Sequence, residues 1–181
     1  MKSRITYILI VGLCVLLSSC LDDGKKMSDM EEYTGPRFES ENVYIVVTDS
    51  SVIKMEMSGA RQLEYLNGDL EFPEGIKVVF YDKLGQKTSV LTAQRGFKDA
   101  KENLYRVEGD VVVNNLQKQE TLKTEELFWN PENHTIYTEN FVTVETPERL
   151  LFAEGMDADE SFTNYEFRKV KDSQLILNEN R

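Results

Sequence analysis

Between Glu74 and Thr146 the chain alternates apolar and polar positions and breaks off every few residues at a turn signal. Ile76-Lys77-Val78-Val79-Phe80, Tyr105-Arg106-Val107 and Phe141-Val142-Thr143-Val144 follow a period of two, which predicts short strands with one buried face. Asp82-Lys83-Leu84-Gly85, Glu108-Gly109-Asp110 and Asn130-Pro131-Glu132-Asn133 supply the turns. Upstream, residues 42–47 (NVYIVV), 52–57 (VIKMEM) and 63–72 read as further strands, with turns at 49–51 and 67–69; residues 63–66 fit a short helical turn equally well. Residues 162–167 predict a last strand at the sheet edge, followed by a charged, frayed or partner-dependent tail.

The same stretch repeats. Leu91 recurs as Leu122, Phe97 as Phe128 and Val111 as Val142, each after 31 residues, and Tyr105 as Tyr137 after 32. A fainter copy, displaced by 28, matches Leu122 with Leu150 and Tyr137 with Tyr165. A recurring unit of this size implies strand pairs stacked on their own copies, because one pair cannot bury its apolar face alone. The expected fold class is therefore an all-β array.

Residues 1–19 read as an address. Lys2 and Arg4 form a basic start, residues 5–17 an apolar run, and Leu17-Ser18-Ser19-Cys20 a small-residue cleavage site ending in cysteine. That tetrapeptide resembles the lipobox of bacterial lipoproteins, which implies that Cys20 carries a diacylglycerol after the leader is removed. The competing reading is an uncleaved signal anchor, against which the apolar run is short of the roughly 20 residues that span a bilayer. Of the two cysteines, Cys14 would be discarded and Cys20 lipidated, leaving no thiol for a disulfide or a metal in the exported domain. Residues 20–36 are polar, carry Gly24 and Gly35, and read as a lipid-anchored flexible tether. Residues 37–172 form one domain and 173–181 a polar tail.

Charge narrows the partners. The chain holds 21 basic and 32 acidic residues, a net charge of −11, and loss of Lys2 and Arg4 makes it −13. That balance argues against nucleic acid and against docking on anionic headgroups by charge. An anionic amphiphile would have to be held by its apolar part.

Catalytic patterns are thin. The single histidine, His134, sits in a turn composition and reads as an exposed turn residue rather than a base or ligand. One histidine and no mature cysteine cannot assemble a histidine–cysteine metal site. Glu125-Glu126 and the pair Asp157 and Asp159 offer carboxylates, but strand neighbours point to opposite faces and alternates usually serve solubility. Glycine-rich phosphate loops and nucleophile elbows are missing from the sequence. The chain reads as a non-enzyme needing no cofactor or metal.

The informative surface is the inner one. Alternation places Ile76, Val78 and Phe80 on one side, with Leu91, Tyr105, Val107, Val111, Val113 and Leu122 in matching sets on later strands. They fill a closed sandwich core or, where two sheets splay apart, line an apolar groove suited to acyl chains. Composition leaves both readings open.

Phe72-Pro73-Glu74-Gly75-Ile76-Lys77-Val78-Val79-Phe80-Tyr81-Asp82, then Leu91-Thr92-Ala93, Gly109-Asp110-Val111-Val112-Val113 and residues 122–129 (LKTEELFW), resemble the LptC family of lipopolysaccharide-transport proteins. The resemblance, with anchor and tether, spans nearly the whole chain. It implies a twisted, open β-jellyroll at the periplasmic face of the inner membrane. Such a protein takes lipopolysaccharide from an LptB, LptF and LptG transporter and passes it to an LptA-like acceptor. The groove residues above would hold the acyl chains. Edge strands would meet the partners, with Val43, Ile45 and Val47 towards the transporter and Phe162, Tyr165 and Phe167 towards the acceptor. A lipobox in place of the family's transmembrane helix is a departure, and it puts the mode of contact with LptF and LptG in doubt. Two rivals remain: a protein-binding envelope lipoprotein with a closed β-sandwich core, and a glycan hydrolase with two carboxylates across a cleft.

Overall fold

The structure is a computed structural model describing residues 33–160 and 162–175. The chain divides into Met1–Tyr33 and Thr34–Arg181, and everything below concerns the second unit. The leader, Cys20 and most of the tether lie outside the described residues.

Among the described residues, eleven strands form a single antiparallel sheet. They are β1 (Phe38–Asp49), β2 (Val52–Glu64), β3 (Leu70–Phe72), β4 (Ile76–Tyr81), β5 (Lys87–Ala93), β6 (Arg95–Asp99), β7 (Leu104–Asn115), β8 (Glu120–Asn130), β9 (Thr135–Glu145), β10 (Arg149–Asp159) and β11 (Tyr165–Leu175). The long strands are bent, and each changes partner or register at its bend. Met55–Ser58 of β2 pair with β4, whereas Leu63 and Glu64 pair with β3. In β7, Leu104–Glu108 pair with β6 and Val112–Asn115 with β5. Registers shift between Glu108 and Val111, Lys123 and Phe128, and Glu154 and Met156 along the following ladders. The sheet is thus folded along a crease into two facing layers, one containing β4 and β5 and the other β3 and β6.

Local chemistry permits the crease. An extra residue in one strand bends it and leaves its neighbours paired. At the β7 bend Gly109 has φ 78° and Asp110 φ 45°, and at the β10 bend Gly155 has φ 75°, a region that side chains with a Cβ rarely occupy. A Cβ on Gly109 would also lie 2.8 Å from Gln94 Oε1.

Inward residues from both layers form one core. Val111, Val113, Leu127, Ile136, Val142, Val144 and Met156 are essentially inaccessible, and each contributes about 1.5–3 kcal/mol of burial. Among the described residues β1 pairs only with β2, and β11 only with β10. The sheet therefore stays open, which makes the molecule a twisted, open β-jellyroll.

Several expectations need correction. Residues 63–72 hold the expected turn at 67–69 but no helical turn at 63–66: β2 runs on to Glu64, and a tight turn with Gly68 N donating to Tyr65 O at 2.9 Å leads into the three-residue β3. Phe162 lies before β11, in the turn, with only 2% of its surface exposed, so it belongs to no exposed edge. Residues 173–175, expected in a polar tail, are the end of β11. The repeat is real in part. Phe97, Arg106, Phe128 and Tyr137 form one cross-strand row on the outer face, so Phe97 and Phe128 are equivalent. Tyr105 belongs to the adjacent inner row with Trp129 and Ile136. Its counterpart is Ile136, 31 residues on, because a slip of one residue puts a side chain on the opposite face. For the same reason Leu151, paired with Val144, and not Leu150, continues the row of Leu122.

The outer face is charged. Arg168 on β11 donates to both oxygens of Asp157 on β10, at 2.7 and 2.8 Å, and also bonds Glu139. The Arg168 hydrogen bonds hold the Asp157 carboxyl below its ordinary 3.8, against an opposing burial effect.

Two outcomes follow. Gly109→Ala should lower stability by about 1–2 kcal/mol, read from urea unfolding; a loss under about 0.5 kcal/mol would show that the crease does not need that backbone conformation. Because the Asp157 pKa is depressed on folding, its contribution is present above pH 3.8 and disappears as pH falls through the lower folded value. Calorimetry between pH 5 and pH 2.5 should show the wild type losing more stability than Arg168→Gln. The difference should be at most about 1 kcal/mol, since the pair is largely exposed; equal losses would mean that the pair contributes nothing.

Candidate functional site

The trough between the layers is the one place where the inner faces of nearly all strands converge. Alternation on β4 turns Ile76, Val78 and Phe80 inward, and Leu91 on β5, Val111 and Val113 on β7 and Leu122 on β8 join the same buried cluster. Tyr105 and Val107 are half-buried against it. The nine residues expected on one wall therefore do share the interior. They do not share one layer: Tyr105 and Val107 lie opposite the others, beyond the β7 crease.

Other inner residues escaped the sequence reading. Met55 and Met57 complete the floor from β2, and the alternation of VIKMEM already marks them. Leu127 and Trp129 were masked by the unbroken run Leu127-Phe128-Trp129, whose middle member faces outward and stacks on Tyr137 at 5.2 Å. Phe72, Ile136, Val144 and Met156 come from strands that only the folded sheet brings together.

The layers are close. Between Met55, Phe72, Phe80, Tyr105 and Trp129 lies a cavity of about 40 Å³ with an almost wholly apolar lining. That is space for two or three water molecules, an order of magnitude below the roughly 300–1,000 Å³ of a typical ligand pocket. An acyl chain needs the layers to part and the side chains between them to move. Along the mouth, Tyr105 and Trp129 are cross-strand neighbours on one layer whose tilted rings lie 4.6 Å apart, with Lys98 Nζ 5.5 Å from the Tyr105 ring. Trp129 Nε1 donates to Glu160 Oε1 at 2.9 Å, and Tyr165 donates its hydroxyl hydrogen to Glu120 Oε2 at 2.7 Å. Burial, and secondly the Glu120 carboxylate, push the Tyr165 hydroxyl above its ordinary range, so it remains a donor.

Both ends of the trough show apolar surface. On β1, Val43 and Ile45 pack on the core and Val47 is exposed. On β11, Tyr165 and Phe167 pack on it and Val170 is 60% exposed. These are the rims that the open sheet leaves uncovered.

The titratable residues singled out in the sequence are engaged elsewhere. His134 is a turn residue at φ 55°, its exposed ring 3.0 Å from Glu160 Oε2. Asp157 is committed to Arg168, and Asp159 accepts backbone N–H bonds from Thr163 and Asn164. Among the described residues no three His, Cys, Asp or Glu side chains gather as metal ligands do.

No curated protein matches the chain. The profile of a family described as "Lipopolysaccharide-assembly, LptC-related" matches residues 5–167, nine-tenths of the sequence. An open, folded β-sheet with an apolar inner face, found in a chain that this profile covers almost from end to end, places the protein in the LptC family, whose members act in lipopolysaccharide transport.

Proposed function

We propose that the protein is a non-enzymatic lipopolysaccharide carrier that takes its cargo from an LptB, LptF and LptG transporter and hands it to an LptA-like periplasmic acceptor. The acyl chains lie along Ile76, Val78, Phe80, Leu91, Val111, Val113 and Leu122 on one layer and Tyr105 and Val107 on the other. The phosphorylated sugars stay in water, as a net charge of −11 favours. The supporting observation is the continuous apolar inner face between two strands that, among the described residues, each pair on one side only. Unpaired edge strands template another chain. Accordingly β1, with Val43, Ile45 and Val47, faces the transporter, and β11, with Tyr165 and Phe167, faces the acceptor.

Cys20 carries the lipid that holds the domain at the periplasmic face of the inner membrane. More than one acyl chain is needed for stable anchoring, since each buried CH₂ contributes about 0.8 kcal/mol.

The narrow cavity favours a second reading, a protein-binding envelope lipoprotein whose inner face is simply core. Tyr105 separates the two. Phe80 is 4% exposed, and a carboxylate there would unfold the domain under either reading. Tyr105 is half-buried at the mouth, so Tyr105→Asp tests the surface itself. For a carrier, Tyr105→Asp keeps the cooperative thermal transition and loses lipopolysaccharide binding about tenfold or more. A Tyr105→Asp protein that stays folded and binds as the wild type does would contradict the assignment of this wall.

Photocrosslinkers at Phe80, Tyr105 and Val113 in membranes containing the transporter should give lipopolysaccharide adducts that depend on ATP, with none from exposed Lys101. A blank from a folded, anchored protein would favour the protein-binding reading. Cys20→Ser should release the domain from the membrane fraction without unfolding it; a variant that stays fully bound would make the apolar leader the anchor.

A further inference from the structure

Phe162 is out of place for a turn residue. Connecting segments run over the surface, and their side chains usually face water. Here the backbone of a non-glycine residue adopts φ 55°, and the ring is 98% removed from solvent. It stands edge-on to Phe80, with ring centroids 5.7 Å apart. Val113, Leu122 and Val144 surround it, leaving a gap of only about 10 Å³. Its carbonyl accepts a hydrogen bond of 2.7 Å from Asn115 Nδ2, itself buried at the end of β7.

The two sides of this contact belong to different layers. Asn115 closes the half of β7 that pairs with β5. Phe162 follows the half of β10 whose Ala158 sits beside Ile136, in the row of Trp129 and Tyr105. The ring therefore reaches across the trough from one layer and rests on the wall of the other. Tyr165, three residues on, makes the same crossing through Glu120. The strand expected over residues 162–167 places Phe162 at an exposed edge, and the 31-residue repeat does not include it.

We propose that the Phe162 ring occupies the position between the layers that a lipid acyl chain takes, so that ring and cargo compete for one site and the ring sets the affinity. This rests on the carrier reading above. A trough lined by so much apolar surface is costly to leave wet, and a resident aromatic keeps it dry and closed until a chain replaces it. The hydrogen bond from Asn115 Nδ2 and the turn bond from Phe162 N–H to Asp159 O hold the ring in; its leaving breaks the first and relieves the left-handed backbone. Competition of this kind lowers the apparent affinity by the fraction of molecules in which the site is free.

The test uses the full-length chain and purified lipopolysaccharide, with a photocrosslinker at Tyr105 reporting occupancy. Phe162→Ala should bind with about tenfold higher affinity than the wild type, and Asn115→Ala, which keeps the ring but frees its carbonyl, should shift in the same direction. A folded Phe162→Ala with unchanged or weaker binding would overturn the proposal. Should Phe162→Ala not fold, para-fluorophenylalanine at position 162 reports directly, because its fluorine resonance should move from a buried to a solvent-exposed shift as lipopolysaccharide saturates. Adducts at Tyr105 with the fluorine still buried would refute the competition and leave the carrier reading standing. No adducts in the wild type or either variant would refute both.

Discussion

The whole structure depends on bending long strands without orphaning their backbone groups. A strand that simply broke at the crease would leave buried N–H and C=O groups unpaired, each costing a fraction of the net stability of a domain. The chain bends instead at irregularities in the β7–β8, β8–β9 and β9–β10 ladders, and two of them use glycines in the left-handed region, Gly109 and Gly155. From this the rest follows. A folded sheet has two inner faces, they bury each other, and because the ladder is long and never closes, an apolar interior remains accessible from the rims of β1 and β11.

The same geometry sets the conflict between stability and transport. Packing that makes the domain stable draws the layers together until the cavity is about 40 Å³. A carrier must undo part of that packing each time cargo arrives. The residues best placed to yield are the half-buried ones at the mouth, Tyr105, Val107, Trp129 and Tyr165, rather than the deep Val142 or Met156. The described contacts across the mouth are single hydrogen bonds, whereas the strands run on through the crease, so the layers are built to part at one side and hold at the other.

Much of this was legible in the sequence. Period-two alternation fixes which face of a strand is buried, and it placed Ile76, Val78, Phe80, Leu91, Val111, Val113 and Leu122 correctly because their strands are short or regular on either side of the bend. The reading failed where counting crosses an irregularity. Tyr105 and Tyr137 look equivalent in sequence but lie in neighbouring rows on opposite faces, and Leu127-Phe128-Trp129 has no alternation of polarity to show which members turn inward. Phe162 was read as an exposed edge residue and is a buried turn residue. It is buried by a contact between residues 47 apart, and only the folded sheet brings its carbonyl to Asn115.

The central claim is that cargo lies between the two layers, and since the resting cavity is too small, they must move apart. The most direct measurement is the distance between spin labels at Gln117 and Asn133, exposed positions in the turns that close opposite lips of the trough, with and without lipopolysaccharide. The account predicts that the distance grows, and its distribution shifts as a whole, when lipopolysaccharide saturates the protein. Saturation with no change in that distance would contradict it, because the lipid would then be bound somewhere other than between the layers.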